Sequence, residues 1–175
     1  MVEKKVGDRV IRLVRGDITD LEVDAFVYDV TADCKLGSGY GGAIATRGGK
    51  AVQDQLKVVG ALPTGEAAVT TAGNMKAKFI IHVNGPKFHE PDTRTKLTRT
   101  VESALKRADE KGLATVAFPP IGTGLYQVSL DLCASVLVDT VRKHLEGPTS
   151  IREVLFDAVD SREYKPLAAA LNGGT

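Results

Sequence analysis

The stretch TRTKLTRTVESALKRADEKGLATVAFPP, residues 93–120, decides the fold. Leu97, Val101, Ala104, Leu105 and Ala108 recur every three or four residues, which predicts a helix over Thr93–Lys111 with one apolar stripe. Gly112 follows as a residue free to take the left-handed backbone that ends helices. Ala114–Phe118 is then a short, unbroken apolar run, the pattern of a strand buried on both faces in a parallel sheet. Such a strand needs a helical layer on each side of it.

Working outward, Ser129–Leu145 reads as the next helix, with Leu130, Cys133, Ala134, Leu137, Val141 and Leu145 inward. Arg142, Lys143 and His144 occupy its last turn, where cations suit the negative end of the helix dipole, and Gly147-Pro148 end it. Ile151–Asp157 predicts a strand, and Asp160 with Glu163 resembles a capping box opening a last helix on Tyr164, Leu167, Ala168 and Leu171. Upstream, Val10–Val14, Val23–Tyr28, Ala67–Ala72 and Phe79–Val83 read as strands. Gly42–Val59 reads as a helix through Ala45, Val52, Leu56 and Val59, with Gly48-Gly49 a point of interruption. Strands alternating with helices imply a mostly parallel sheet covered on both faces. Without a repeat, linker or low-complexity tract, one domain over residues 1–175 is expected.

Composition sets limits on function. The 175 residues are 43% hydrophobic and 26% charged, which fits a globular protein. Lys and Arg total 23 against 22 Asp and Glu, a formal charge of +1, so the basic excess of a nucleic-acid binder is absent. Cys34 and Cys133 are far apart and show no metal-ligand spacing, so neither a metal nor a disulfide framework is expected. The opening MVEKKVGDRV has no apolar core of a signal peptide, and no segment is long enough to span a membrane. A cytoplasmic location is expected.

Ligands of such sheets bind beyond the carboxyl ends of the strands, and three segments fall there. Arg15-Gly16-Asp17-Ile18-Thr19 follows the strand Val10–Val14; Asp17 reads either as a turn cap or as an acceptor for an exocyclic amine such as adenine N6. Leu36–Ile44 carries Gly37, Gly39, Gly41 and Gly42 into a helix start, where close backbone approach, free N–H groups and the dipole suit a phosphate. It is not a Walker loop, since no Gly-Lys-Ser/Thr follows, and glycine loops are also simple turns. Phe118–Tyr126 leaves the buried strand with Gly122 and Gly124. Two glycine segments at one sheet edge suit a diphosphate with a sugar at each end. His82, inside the apolar run Phe79–Val83, reads as a satisfied core histidine.

These features together resemble the macro domain family across nearly the whole chain. The matching stretches are Gly16-Asp17-Ile18-Thr19, Asp24-Ala25-Phe26-Val27, Gly37–Ile44, Gly48-Gly49, Gly65-Glu66-Ala67, Thr70 with Ala72-Gly73-Asn74, Ile81–Pro86, Phe118-Pro119 and Ile121–Gly124. The resemblance implies a three-layer α/β/α sandwich around a mixed, mostly parallel six-stranded sheet, with a cleft for ADP-ribose or ADP-ribosylated macromolecules and no cofactor. It places Asp17 against the adenine amine beside the Ile18 backbone. Gly37, Ser38, Gly39, Tyr40, Gly41 and Gly42 would cradle the distal ribose and its phosphate. Ile121, Gly122, Thr123, Gly124, Leu125 and Tyr126 would wrap the diphosphate through backbone N–H groups, and Phe156 would sit near the adenine face.

The departures bear on activity. Where hydrolytic relatives read Asn-Ala-Ala-Asn, this chain has Tyr28-Asp29-Val30-Thr31, so Thr31 replaces the asparagine that orients the distal ribose. Gly41 stands where some hydrolases carry an aspartate. Binding is therefore favoured over an ADP-ribosyl or O-acetyl-ADP-ribose hydrolase, and no catalytic residue is assigned. A Rossmann-like dinucleotide domain is a third reading, disfavoured because the first strand-to-helix turn lacks its glycine fingerprint. Substitution of Gly122 by Glu is expected to block the cleft while leaving the domain folded.

Overall fold

The computed structural model describes residues 2–30, 40–87, 90–122 and 128–173, without the side chain of Tyr40. Its strands are β1 (Val2–Val6), β2 (Arg9–Arg15), β3 (Ala25–Asp29), β4 (Ala67–Thr71), β5 (Phe79–Val83), β6 (Thr115–Phe118) and β7 (Glu153–Ala158). The helices are α1 (Tyr40–Gly48), α2 (Lys50–Val59), α3 (Thr93–Glu110), α4 (Leu130–Glu146) and α5 (Ser161–Gly173). The strands form one sheet in the order β1-β2-β7-β6-β3-β5-β4. The β2, β7, β6, β3 and β5 neighbours run parallel, and β1 and β4 close the edges antiparallel.

The sheet has seven strands rather than the expected six. The additional β1 forms a hairpin with β2 across Gly7-Asp8, in which Val6 pairs with Arg9 and Gly7 takes φ +63°. A two-residue turn of this kind requires left-handed backbone, which glycine supplies without strain. Val2 and Val6 pack on the core while Glu3 and Lys5 face out. The alternation is weak in apolar content, which is why an edge strand here reads as a polar terminus.

Strand alternation divides the core between the two sheet faces. Phe26, Ile80 and Ala117 meet Ile44 of α1 and Val52 and Leu56 of α2. Val27, Ile81, Val116, Phe118 and Phe156 meet the apolar stripes of α3, α4 and α5. The expected long helix is two, because Gly49 at φ +87° stands between α1 and α2. The capping pair forms at α5, with the Glu163 amide donating to Asp160 Oδ1 at 3.0 Å, but the returning bond runs from the Val159 amide to Glu163 Oε1 at 2.9 Å.

Register at the site is fixed from the far end of the sheet by Asp24. Its Oδ2 accepts the amides of Ala114 at 2.8 Å and Thr115 at 3.1 Å, and its own amide donates to Thr115 Oγ1 at 2.7 Å. Its carbonyl accepts from Phe79 at 2.9 Å, so one residue ties the starts of β3, β5 and β6. Burial opposes its ionisation, yet the two amides and Lys78 hold the carboxyl below its ordinary range. Among the described residues no helix is long and apolar enough to cross a membrane.

The contact between the α1–α2 junction and the turn after β4 is equally tight. Gly73 lies at φ +60°, and a Cβ there would stand 1.9 Å from the Gly48 carbonyl oxygen. Gly73→Ala should therefore destabilise the protein by roughly 2 kcal/mol or more, since both the backbone conformation and the space forbid it. Urea unfolding measures this; a change within about 0.5 kcal/mol would show that the junction yields freely.

Candidate functional site

Adjacent parallel strands β3 and β6 leave the sheet toward opposite faces. The chain after β3 enters α1, whose Ile44 packs on one face, and the chain after β6 enters α4, whose Cys133 and Leu137 pack on the other. The usual ligand position in such sheets is outside the carboxyl ends of strands whose connections go to opposite faces. The expected site residues that the structure describes near this edge are Asp17 and Ile18 after β2, Tyr40, Gly41 and Gly42 in the first turn of α1, and Ile121 and Gly122 after β6. Thr31, Gly37, Ser38, Gly39, Thr123, Gly124, Leu125 and Tyr126 lie outside the described residues.

Asp17 caps a turn and keeps part of its carboxyl exposed. Oδ1 accepts from the Thr19 amide at 2.9 Å and the Thr19 hydroxyl at 2.6 Å, capping the short turn Ile18–Asp20. Oδ2 lies 3.6 Å from an Arg47 nitrogen, and the side chain remains 48% exposed, so a ligand donor can reach it. Arg47 also donates to Thr19 Oγ1 at 2.6 Å and to Asp20 at 2.5 Å, anchoring α1 to this turn. Ile18 itself is buried in the α1–α2 side of the core, so only its backbone can serve the site.

Three expectations change. Phe156 is fully buried among the residues packed under α3–α5, because strand alternation directs it there, and it offers no face to a ligand. The apolar group exposed at that strand end is Val159, 48% exposed and one residue past Ala158, whose carbonyl accepts from the Gly16 amide at 3.1 Å. Ile121 is also buried, and its amide donates to Cys133 Sγ at 3.2 Å instead of facing a ligand. Gly122 takes φ +74°, and a Cβ there would lie 2.9 Å from Val128 Cγ2 and 3.3 Å from the Pro86 carbonyl oxygen. A side chain at Gly122 thus strains the loop itself, so loss of binding on substitution would not be separable from local misfolding.

Sequence reading missed two carboxyls at these strand ends, a buried one at Asp157 and a half-buried one at Asp29. Asp29 ends β3, and its placement on the α3–α5 face follows from alternation with Val27. Oδ1 accepts from the Gly85 amide at 3.0 Å, while Oδ2 has no protein partner within hydrogen-bond distance among the described residues. Burial pushes this carboxyl up, against the pull of the Gly85 amide, Lys87 and the Gly122 amide. Asp157 stands one residue before the end of β7 on the other face, 2% exposed, with Oδ1 beside Gly16 and without a protein partner among the described residues. Burial, followed by the charges of Asp17 and Glu163, pushes it up to about 7. The signal for both was a single acidic residue at the carboxyl end of an apolar strand.

His82 is fully buried, with Nε2 2.9 Å from Thr70 Oγ1, and burial lowers its pKa to about 4. It is a core residue on the face that carries Tyr28, whose ring meets it edge-on. Among the described residues no group of three or more His, Cys, Asp or Glu side chains could hold a metal ion.

A model of the Macro domain family matches residues 30–137, from the end of β3 into α4. A macro domain-containing protein of Caldanaerobacter subterraneus subsp. tengcongensis is 39% identical over 168 residues, covering 91% of this chain and 94% of that protein. The chain belongs to the macro domain family. Another macro domain-containing protein, of Streptomyces coelicolor, is 40% identical over 168 residues, covering 92% of this macro domain protein and 98% of its own length. Among solved structures, the Trypanosoma brucei macrodomain in complex with ADP-ribose superposes with a TM-score of 0.86 at 27% identity, over 92% of this chain and 68% of that one. The Oceanobacillus iheyensis macrodomain with ADP reaches a TM-score of 0.92 at 24% identity, over 98% and 95%, and shares the macrodomain fold.

The Asp157 carboxyl gives a stability prediction whose sign follows from its raised pKa. The unfolded state loses this proton near 3.8 and the folded state near 7, so stability conferred below 3.8 is lost as pH rises through that window. Asp157→Asn removes the loss. Its melting temperature should exceed that of the parent protein at pH 8, with the gap closing toward pH 4; a gap independent of pH would show that Asp157 ionises normally.

Proposed function

We propose that this macro domain binds ADP-ribose, free or attached to macromolecules, in the crevice above β2, β7, β6 and β3, and that residues 1–175 form this single module in the cytoplasm. The observation that carries the reading is the exposed carboxylate of Asp17 at one end of a crevice that opens where β3 and β6 diverge. Asp17 accepts from the adenine amine, and Val159 offers the base an apolar surface in the place first given to Phe156. The start of α1 at Gly41-Gly42 and the glycine segment Gly37–Gly39 cradle the distal ribose and its phosphate, with Thr31 beside them. Gly122–Tyr126 borders the diphosphate from the β6 side. The macrodomain of T. brucei solved with ADP-ribose supports this reading at 27% identity.

Two substitutions separate the roles of Asp17. Asp17→Ala removes both the cap and the acceptor, so it should cost about 1 kcal/mol of stability. It should also weaken ADP-ribose binding roughly ten- to hundred-fold. Asp17→Asn keeps an oxygen for the Thr19 amide, so most of the stability returns while the loss of affinity persists. Calorimetry with ADP-ribose and AMP, alongside thermal melts, measures both. The reading fails if the parent protein binds ADP-ribose no more tightly than AMP.

A further inference from the structure

We infer that the outer edge of β4 is an interaction surface held shut: Gln55 and Arg107 occupy the backbone groups through which this strand would otherwise pair with the β4 of a second copy of this chain. The inference is independent of what the cleft binds. β4 is the last strand of the sheet and pairs only with β5 among the described residues. An exposed edge presents a row of N–H and C=O groups that recruits other strands, and proteins blunt it with charges or Pro on the strand itself, or by covering it. From Ala67 to Met75 this chain has neither a charge nor a Pro. Uncharged, β-prone runs of this kind are the ones that pair with copies of themselves. Protection must therefore come from outside the strand.

In an antiparallel pair, residues alternate between those that bond across the ladder and those whose backbone groups point away from it. The Asn84 amide donates to the Glu66 carbonyl at 3.2 Å and the Ala72 amide to the Lys78 carbonyl at 3.1 Å, so Glu66, Ala68, Thr70 and Ala72 bond toward β5. Ala67, Val69 and Thr71 then point their backbone groups outward. The Ala67 carbonyl accepts from Arg107 Nε at 3.1 Å, and the Thr71 amide donates to Gln55 Oε1 at 2.7 Å. The two side chains come from opposite helical layers, Arg107 from α3 and Gln55 from α2. Arg107 is held in this pose by Glu110, which accepts from Nη1 at 2.5 Å. One turn earlier on α3, Ser103 donates to the Gly65 carbonyl at 2.6 Å. The Thr71 carbonyl is engaged as well, by the Thr70 hydroxyl at 2.9 Å. Only around Val69 does the edge stay open, beside a groove of about 410 Å³ bounded by Arg107, Glu110 and Lys111.

The occupant that these bonds exclude is a second β4 running antiparallel to the first. Ala67 and Thr71 flank Val69 at equal distances along the strand, so a two-fold axis at Val69 sets the Ala67 of one chain opposite the Thr71 of the other. In that register each outward Thr71 N–H meets the outward Ala67 carbonyl of the facing strand. These are the donor that Gln55 takes and the acceptor that Arg107 takes. With both engaged, pairing is confined to Val69, and so short a ladder does not offset the cost of holding two chains together. Freeing both groups restores a ladder that runs the length of β4.

The test is light scattering across a concentration series, on the parent protein and on the double variant Gln55→Ala with Arg107→Ala, with amide hydrogen exchange followed at Val69. Arg107→Met, which keeps the aliphatic stem and loses the donor, replaces Arg107→Ala if a thermal melt shows that the first variant does not fold. The parent protein should remain a monomer. The double variant should shift to a dimer as its concentration rises, and exchange at the Val69 amide should slow in step with that shift. A double variant that stays monomeric wherever the parent does overturns the proposal. So does an assembly, dimeric or larger, in which the Val69 amide exchanges as fast as in the parent protein. A parent protein that itself dimerises with a protected Val69 amide overturns it too, since the edge would then not be shut.

Discussion

Two neighbouring parallel strands, β3 and β6, must send their chains to opposite faces of the sheet, and the rest of the molecule accommodates that requirement. The helices α1 and α2, which follow β3, cover one face, and α4, which follows β6, covers the other. The parting holds only if β3 and β6 keep their register. Asp24 secures this by joining the backbones of Ala114, Thr115 and Phe79 at the opposite end of the strands. A hydrogen-bonded carboxylate far from the crevice thus determines which residues stand at its floor.

That floor is electrostatically unusual. Asp29 ends β3 and Asp157 stands one residue before the end of β7, one on each face, and each keeps a carboxyl oxygen without a protein partner among the described residues. Proteins tolerate few such groups, because desolvating them costs more than a typical hydrogen bond returns. Each has a neighbour that limits the cost without removing it: Lys87 and the Gly85 and Gly122 amides for Asp29, and retention of a proton for Asp157. The crevice is therefore lined by strand ends held in place by a well-packed core, not by interactions of their own.

Sheet, helices and the edge that carries the site were legible because they follow from periodicity and from the punctuation of Gly and Pro. The stripe on α3 and the apolar run of β6 needed no tertiary information to read. What escaped notice depended on facing. Phe156 looked available because it stands near a strand end, but the alternation of Val154, Phe156 and Ala158 sends it under α5, while Val159, one step beyond the strand, is the exposed apolar group. Asp29 could not be placed from sequence, since its neighbours Gly85 and Gly122 lie far away along the chain. The strand β1 was hidden by Glu3, Lys4 and Lys5, polar residues that an edge strand can carry because one side faces water.

The same facing argument explains why the glycines at this edge are not interchangeable. Gly85 and Gly122 are held by protein contacts, since a Cβ on either meets Ile121 or Val128 within 3 Å. Gly16 is different: a Cβ there would have only Asp157 Oδ1 near it, at 4.0 Å. Gly85 and Gly122 let the segments after β5 and β6 pack against each other and against the Asp29 carboxyl. Gly16, exposed between Asp17 and Asp157, has no such structural duty. Space for a side chain is thus open at Gly16 and closed by the protein at Gly85 and Gly122.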